Sequence, residues 1–285
     1  MRWQGRRESG NVEDRRGSGG TGMVVGGGLG TVIIAVIIYL LGGDPSSYIG
    51  TESDPGAASQ TQTTNPQDDE AARFVKTTLA STEDIWTKVL AQQGEQYRPP
   101  ILVLFRGSTQ SGCGTASAAM GPFYCPGDKK LYIDLSFYDE LHTRFNAPGD
   151  FAMAYVVAHE VAHYIQDEWG ITDKVSQLRG RLSKVENNQL SVRLELQADF
   201  LAGVWAHYAN QEKNYLEQGD IEEALRAANA IGDDRIQKQS RGYVVPDAFT
   251  HGTSAQRVYW FTKGFKTGDI NQGDTFNSRE DANLQ

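Results

Sequence analysis

Cysteine is scarce in this chain of 285 residues: only Cys113 and Cys125 are present, and not in the C-x-x-C spacing that would mark a cysteine-ligated zinc. Basic residues are also short. Against 36 Asp and Glu stand 27 Lys and Arg, a net charge of −9, and phosphate binding needs a basic surface, so no nucleic-acid partner is expected. No internal repeat is present, and Gly26-x-Gly28, a poor relative of a phosphate cradle, lies within an apolar run. Residues 42–68 are mostly Gly, Ser, Thr, Asp, Gln and Pro with little to bury, a composition that predicts a flexible linker.

Charge is missing altogether from residues 23–41. Nineteen helical residues span about 28 Å, close to the hydrocarbon thickness of a bilayer. An uncleaved transmembrane helix is expected. A cleaved signal peptide built on Val32–Leu41 is the rival reading, weakened by the lack of an A-x-A site and by a long charged preface. Residues 1–22 hold five arginines against three acids, whereas Gly42 to Ala72 holds no Lys or Arg. That asymmetry predicts a cytoplasmic basic segment 1–22 and a domain outside the inner membrane, periplasmic or extracellular. Gly22, Gly26 and Gly30 form a double G-x-x-x-G, either a homodimer face or a merely glycine-rich start.

The stretch with the most chemistry is Tyr155–Gln166. Phe151, Ala154, Ala158, Val161, Ala162 and Ile165 recur at helical spacings, and Val156 and Val157 leave little polar face. A helix apolar nearly all round is buried, yet this one carries His159, Glu160 and His163. Unpartnered, such groups would cost on the order of several kcal/mol. The i,i+4 spacing stacks both imidazoles on one face, with Glu160 beside them, as in H-E-x-x-H zinc hydrolases. The competing reading is a chance match in which backbone carbonyls satisfy both histidines. Against it stands Glu195-Leu196-Gln197-Ala198-Asp199. Two acids at i,i+4 in an apolar helix repel unless a cation lies between them. Zinc on His159, His163 and Glu195, with Asp199 accepting the free N–H of a ligating histidine, removes the conflict.

H-E-x-x-H followed by E-x-x-A-D resembles the gluzincin metallopeptidases. The wider pattern opens with M-R-W-Q-G-R-R-E-S-x-N-V-E-D-R-R-G, continues with H-E-V-A-H-x-I-Q and closes with F-T-H-G-T-S-x-Q-R. It resembles a family of bacterial membrane-anchored neutral zinc metallopeptidases from the first residues to about Gly268. The resemblance implies a zincin-like domain with one Zn2+ per chain, acting on protein or peptide. It also implies an edge strand above the zinc helix that pairs with extended substrate.

The remaining chain reads as α+β, mostly α. A helix from Asp68, with a break near Ser81–Thr82, precedes a strand at Ile101–Phe105. Phe123–Cys125 and Leu131–Leu135 flank the turn Pro126–Lys129 as a β-hairpin. Cys113 and Cys125 are expected as a disulfide closing a 13-residue loop, about 3 kcal/mol in the chain-entropy model. Helices follow at 171–187, broken by Asn187-Asn188, then around Glu195 to about Asn210, then from an Asp220-x-x-Glu223 capping box. His207 lies too far along the Glu195 helix to share its metal and is read as structural. Thr253-x-x-Gln256 caps a last helix with Val258, Phe261 and Phe265 facing the core. His251 just before it is either a helix-capping residue or a donor to a metal-bound oxyanion, a place where gluzincin-like enzymes often have Tyr or His. The domain is thus expected at 69–268, with 269–285 a frayed polar tail.

The function expected is peptide hydrolysis by a zinc-activated water with Glu160 as general base. The alternatives are a non-catalytic zinc-containing binding domain at the cell envelope, and a zinc amidase acting on a non-peptide envelope substrate.

Overall fold

The computed structural model of the chain describes residues 1–17, 66–143, 145, 147 and 149–284. It is mostly helical α+β with two small sheets, as expected. Strand β1 (Val12–Asp14) is followed by helix α1 (Pro66–Gln92). Then come β2 (Ile101–Phe105), β3 (Ser108–Ser111), β4 (Gly114–Ser117), β5 (Phe123–Cys125) and β6 (Lys130–Asp134). The helices that follow are α2 (Ser136–Thr143), α3 (Asp150–Glu168), α4 (Ile171–Arg179), α5 (Lys184–Lys213), α6 (Asp220–Ala230), α7 (Asp233–Arg241) and α8 (Ser254–Thr267).

The larger sheet runs β1-β2-β6-β5. β1 and β2 are parallel, β2 and β6 are parallel, and β5 returns antiparallel at the edge, with Phe123 opposite Tyr132 and Cys125 opposite Lys130. The expected hairpin is therefore present, and β3 and β4 form a separate ribbon. Cys113 and Cys125 are joined by a disulfide that ties this ribbon to the edge strand.

α3 is buried along nearly its whole length, because its apolar side chains meet a neighbour on every side. It packs on α1, α5 and α6 and under the sheet. α5 and α8 cross closely, because Gly203 lies against the backbone at Phe261 and Gly264 against that at Phe200, where a Cβ could not fit.

Several expectations are corrected. α1 continues through Ser81–Thr82, where the Thr78 and Thr82 hydroxyls donate to Phe74 and Leu79 carbonyls of their own helix. Asn187-Asn188 does not break the next helix. The break is at Gly180–Ser183; Ser183 and Glu186 form the capping box, and the Asn187 amide donates to the Arg179 and Leu182 carbonyls. Asp220 and Glu223 make no capping box either: Asp220 is the first residue of α6, and Glu223 accepts from the Phe151 N–H of α3 instead. The Thr253–Gln256 box is present.

The expected domain limits also shift. Met1–Gly17, expected as a separate segment ahead of the membrane, pack on the domain and supply β1. Residues beyond Gly268 are not frayed: Asp281 is fully buried and receives Arg193 and Gln256, while Thr275 donates to the Arg193 carbonyl. Residues 66–68, assigned to the linker, already belong to α1. The span 23–41 and the Gly22, Gly26 and Gly30 face lie outside the described residues. Among those described, no helix is long and apolar enough to cross a membrane.

Candidate metal centre

Helical periodicity builds the site. On α3, His159 and His163 sit one turn apart, and their Nε2 atoms come within 3.1 Å of each other. α5 crosses α3 and presents Glu195, with Oε2 3.1 Å from His159 Nε2 and Oε1 3.4 Å from His163 Nε2. The candidate ligand atoms of these three residues all lie within 4.8 Å of one another. Sequence reasoning brought these three together, and the structure does the same.

The donor set fits a zinc ion. His159 Nδ1 is 2.9 Å from Asp199 Oδ1, and His163 Nδ1 is 2.8 Å from Gln166 Oε1. Gln166 cannot be turned round, because its amide N–H groups donate to the Leu194 carbonyl and to Gln197 Oε1. Each imidazole therefore turns Nδ1 to an acceptor, and both Nε2 atoms face one point together with a carboxylate. Such a convergence of donors could hold a metal ion.

The electrostatics agree with this geometry. Despite the loss of solvation, Asp199 and Glu195 raise His159 to about 10. Burial opposes ionisation of both acids, yet His163 and His159 hold Glu195 well below its usual range, and Arg257 and His159 bring Asp199 to about 2. The carboxylates demand positive charge between them, from protons or from a metal.

Glu160 is buried beside the triad and makes no part of it. Loss of solvation holds it above the ordinary carboxylate range, despite His163, His159 and an N–H from Tyr124 of the edge strand. Glu160, the triad and His251 all line one cleft of about 820 Å³, walled by β5 and the loop before it, α4 and α7.

His251 is not the cap of α8, since Thr253 caps it. Asp233, the first residue of α7, holds His251 instead. Its Oδ2 accepts the N–H groups of Thr250, His251 and Gly252, and its Oδ1 is 3.2 Å from His251 Nδ1. Nε2 is left free of Asp233, and the side chain is half exposed in the cleft. His207 is structural as expected, with Nδ1 2.7 Å from the Phe265 carbonyl.

Sequence reasoning missed Arg257, Asp233, Gln166 and Tyr155. Arg257 is 2 % exposed and grips Asp199 through two hydrogen bonds, while Tyr155 donates its hydroxyl to the same carboxylate. The available signal was position: Gln166 ends H-E-V-A-H-x-I-Q and Arg257 ends F-T-H-G-T-S-x-Q-R.

A protein from Escherichia coli K12, "Uncharacterized protein YpfJ", is 50% identical over 284 residues, covering 97% of this chain and 99% of its own. "Uncharacterized protein Rv2575" of Mycobacterium tuberculosis is 42% identical over 226 residues, 74% of each chain. No solved structure matches. The family described as "Putative neutral zinc metallopeptidase" matches residues 1–276. With nearly its whole length matched, the chain belongs to that family.

Proposed function

We propose that the chain is a zinc metallopeptidase of zincin-like architecture that hydrolyses peptide bonds in protein or peptide substrates. The observation that carries this reading is the pairing of a three-membered donor set with a non-ligating, buried Glu160 in an open cleft. A structural zinc site normally has four protein ligands and no need of a general base. His159, His163 and Glu195 would hold the zinc, which when bound would supply Lewis acidity toward a carbonyl and lower the pKa of water.

The chain's own residues supply the rest. Glu160 takes the proton from the attacking water and passes it to the leaving amine. His251, with Nδ1 turned to Asp233, presents Nε2 to the carbonyl oxygen as negative charge builds there. Asp199 and Gln166 fix the two imidazole orientations. The outer edge of β5 lines the cleft and offers backbone hydrogen bonds to an extended substrate, giving affinity with little sequence selectivity.

The Cys113–Cys125 disulfide supports a location in an oxidising compartment, outside the bacterial inner membrane, with residues 23–41 as the membrane attachment. The test is metal analysis of the full chain with a peptide-library assay, before and after chelation. One zinc per chain, activity lost with the metal and restored by zinc, is the expected result. Zinc present with hydrolysis only of a cell-wall amide would favour the amidase. Zinc with no hydrolysis of either substrate would favour a binding domain.

A further inference from the structure

The first seventeen residues are built into the domain against β2, α1 and the start of α3. β1 lies parallel to β2, with Val12 opposite Leu102, Glu13 opposite Val103 and Asp14 opposite Leu104. Flanking hydrogen bonds run from Leu102 N to the Asn11 carbonyl and from Arg15 N to the Leu104 carbonyl. Trp3 is 6 % exposed, packs edge-on against Phe74 of α1, and donates from Nε1 to Asp150, the first residue of α3, at 3.1 Å. Arg7 bonds Glu83, Asp84 and the Ala80 carbonyl, while Ser9 and Asn11 both donate to Glu83. Buried contacts of this number are those of a domain's own strand and not of a loosely tethered tail.

These contacts bear on membrane topology. Sheet hydrogen bonds cannot form through a bilayer, so an arm paired with β2 and a domain containing β2 lie in one aqueous phase. The uncharged run 23–41 is long enough for one crossing. Residues 42–65, which carry Asp44, Glu52 and Asp54, hold no second run for a return. We infer that residues 1–17 and the zinc domain occupy the same face of the membrane, and that residues 23–41 do not carry the N-terminal arm to the opposite side. Exchange of arms between two copies would leave arm and domain on one face just the same. Two of the five arginines of residues 1–22 then have a structural reading: Arg7 pairs with Glu83 and Asp84, and Arg16 with Asp69, all acids of α1. The inference is independent of the peptidase reading, since it uses only the sheet and its flanks.

Sided cysteine labelling of the full chain in bacterial cells tests it. Gly10 and Gly180 are exposed, have no atom within 4 Å of an added Cβ, and mark the arm and the domain. Gly10→Cys and Gly180→Cys are treated separately with a membrane-impermeant maleimide, on spheroplasts and after permeabilisation, and read as label above the wild-type chain. The expected result is the same sidedness for both, either labelled alike in spheroplasts or protected alike until permeabilisation. Protection of both would keep this inference and remove the outward placement of the domain. Label on one in intact spheroplasts, with the other reached only after permeabilisation, would overturn it. Gln4→Cys and Gln177→Cys, also exposed, repeat the comparison should either glycine variant fail to accumulate.

Discussion

Arg257 grips Asp199 with a planar fork: Nε lies 2.8 Å from Oδ2 and Nη2 lies 3.0 Å from Oδ1, and that same Oδ1 is 2.9 Å from His159 Nδ1. The His159 Nε2 that faces Glu195 is thus oriented from α8, two residues away along a chain of charge-assisted hydrogen bonds. Removing Arg257 leaves a fully buried carboxylate without its cation. Arg257→Ala should therefore cost about 3–5 kcal/mol of stability. Arg257→Lys keeps the charge without the fork, so it should unfold between the two and bind zinc more weakly than wild type. Thermal unfolding with zinc titration measures both, and an Arg257→Lys protein indistinguishable from wild type would remove the fork from the account.

Asp199 and Glu195 differ in kind, one orienting an imidazole and one belonging to the triad itself. Asp199→Asn keeps shape while losing charge, and losses of that type cost about 10–100-fold in metal affinity or activity. Glu195→Gln removes a charged ligand. Under a competing chelator the expected order of zinc loss is Glu195→Gln, then Asp199→Asn, then wild type. Rapid loss from Asp199→Asn with Glu195→Gln unaffected would mean the wrong carboxylate has been taken as the ligand.

His251 gives a pH prediction. Loss of solvation lowers it, but the Asp233 hydrogen bond and the Glu195 charge prevail and hold it above its ordinary value. The stabilisation from that charged dyad is complete below the unfolded value of about 6.5 and fades as pH rises through the raised folded one. Asp233→Asn should shift the alkaline limb of kcat/KM to lower pH while leaving zinc content intact. His251→Gln should lose that limb. An unmoved profile in Asp233→Asn would separate the dyad from the chemistry.

Trp3 tests whether the N-terminal arm belongs to the domain. Truncating a buried tryptophan typically costs about 3–5 kcal/mol, so Trp3→Ala should lower the unfolding midpoint of the full chain markedly. A change near zero would detach the arm from the zinc domain's core.

Helix α3 is legible in the sequence because its chemistry is local: two histidines at i,i+4 and a glutamate stand inside an otherwise apolar run. Glu195 and Asp199 are legible as a like-charge pair with no local relief. The Thr253 box and the Cys113–Cys125 pair are readable for the same reason, each being a short-range pattern. What escapes is long-range. Val12–Asp14 is three residues with a single apolar one, and only its parallel pairing with Ile101–Phe105 makes it a strand. Arg257 gains its meaning from a carboxylate 58 residues upstream, and Asp233 from a histidine 18 residues downstream. Asn187-Asn188 looks like a breaker, because its alternative, plugging the carbonyl end of α4, depends on where Ser183 starts the next helix. The tail looks frayed on composition, yet Asp281 is buried by Arg193 and Gln256.

The central claim is that Glu160 does chemistry beside a metal it does not hold. Glu160→Gln is nearly the same size and removes the basic oxygen pair. General base catalysis contributes about 10²–10⁴-fold, so the variant should bind one zinc per chain as tightly as wild type and lose peptide hydrolysis by at least that order. Zinc content and initial rate, measured on the same sample, decide the matter. Full activity at full zinc content would contradict the account.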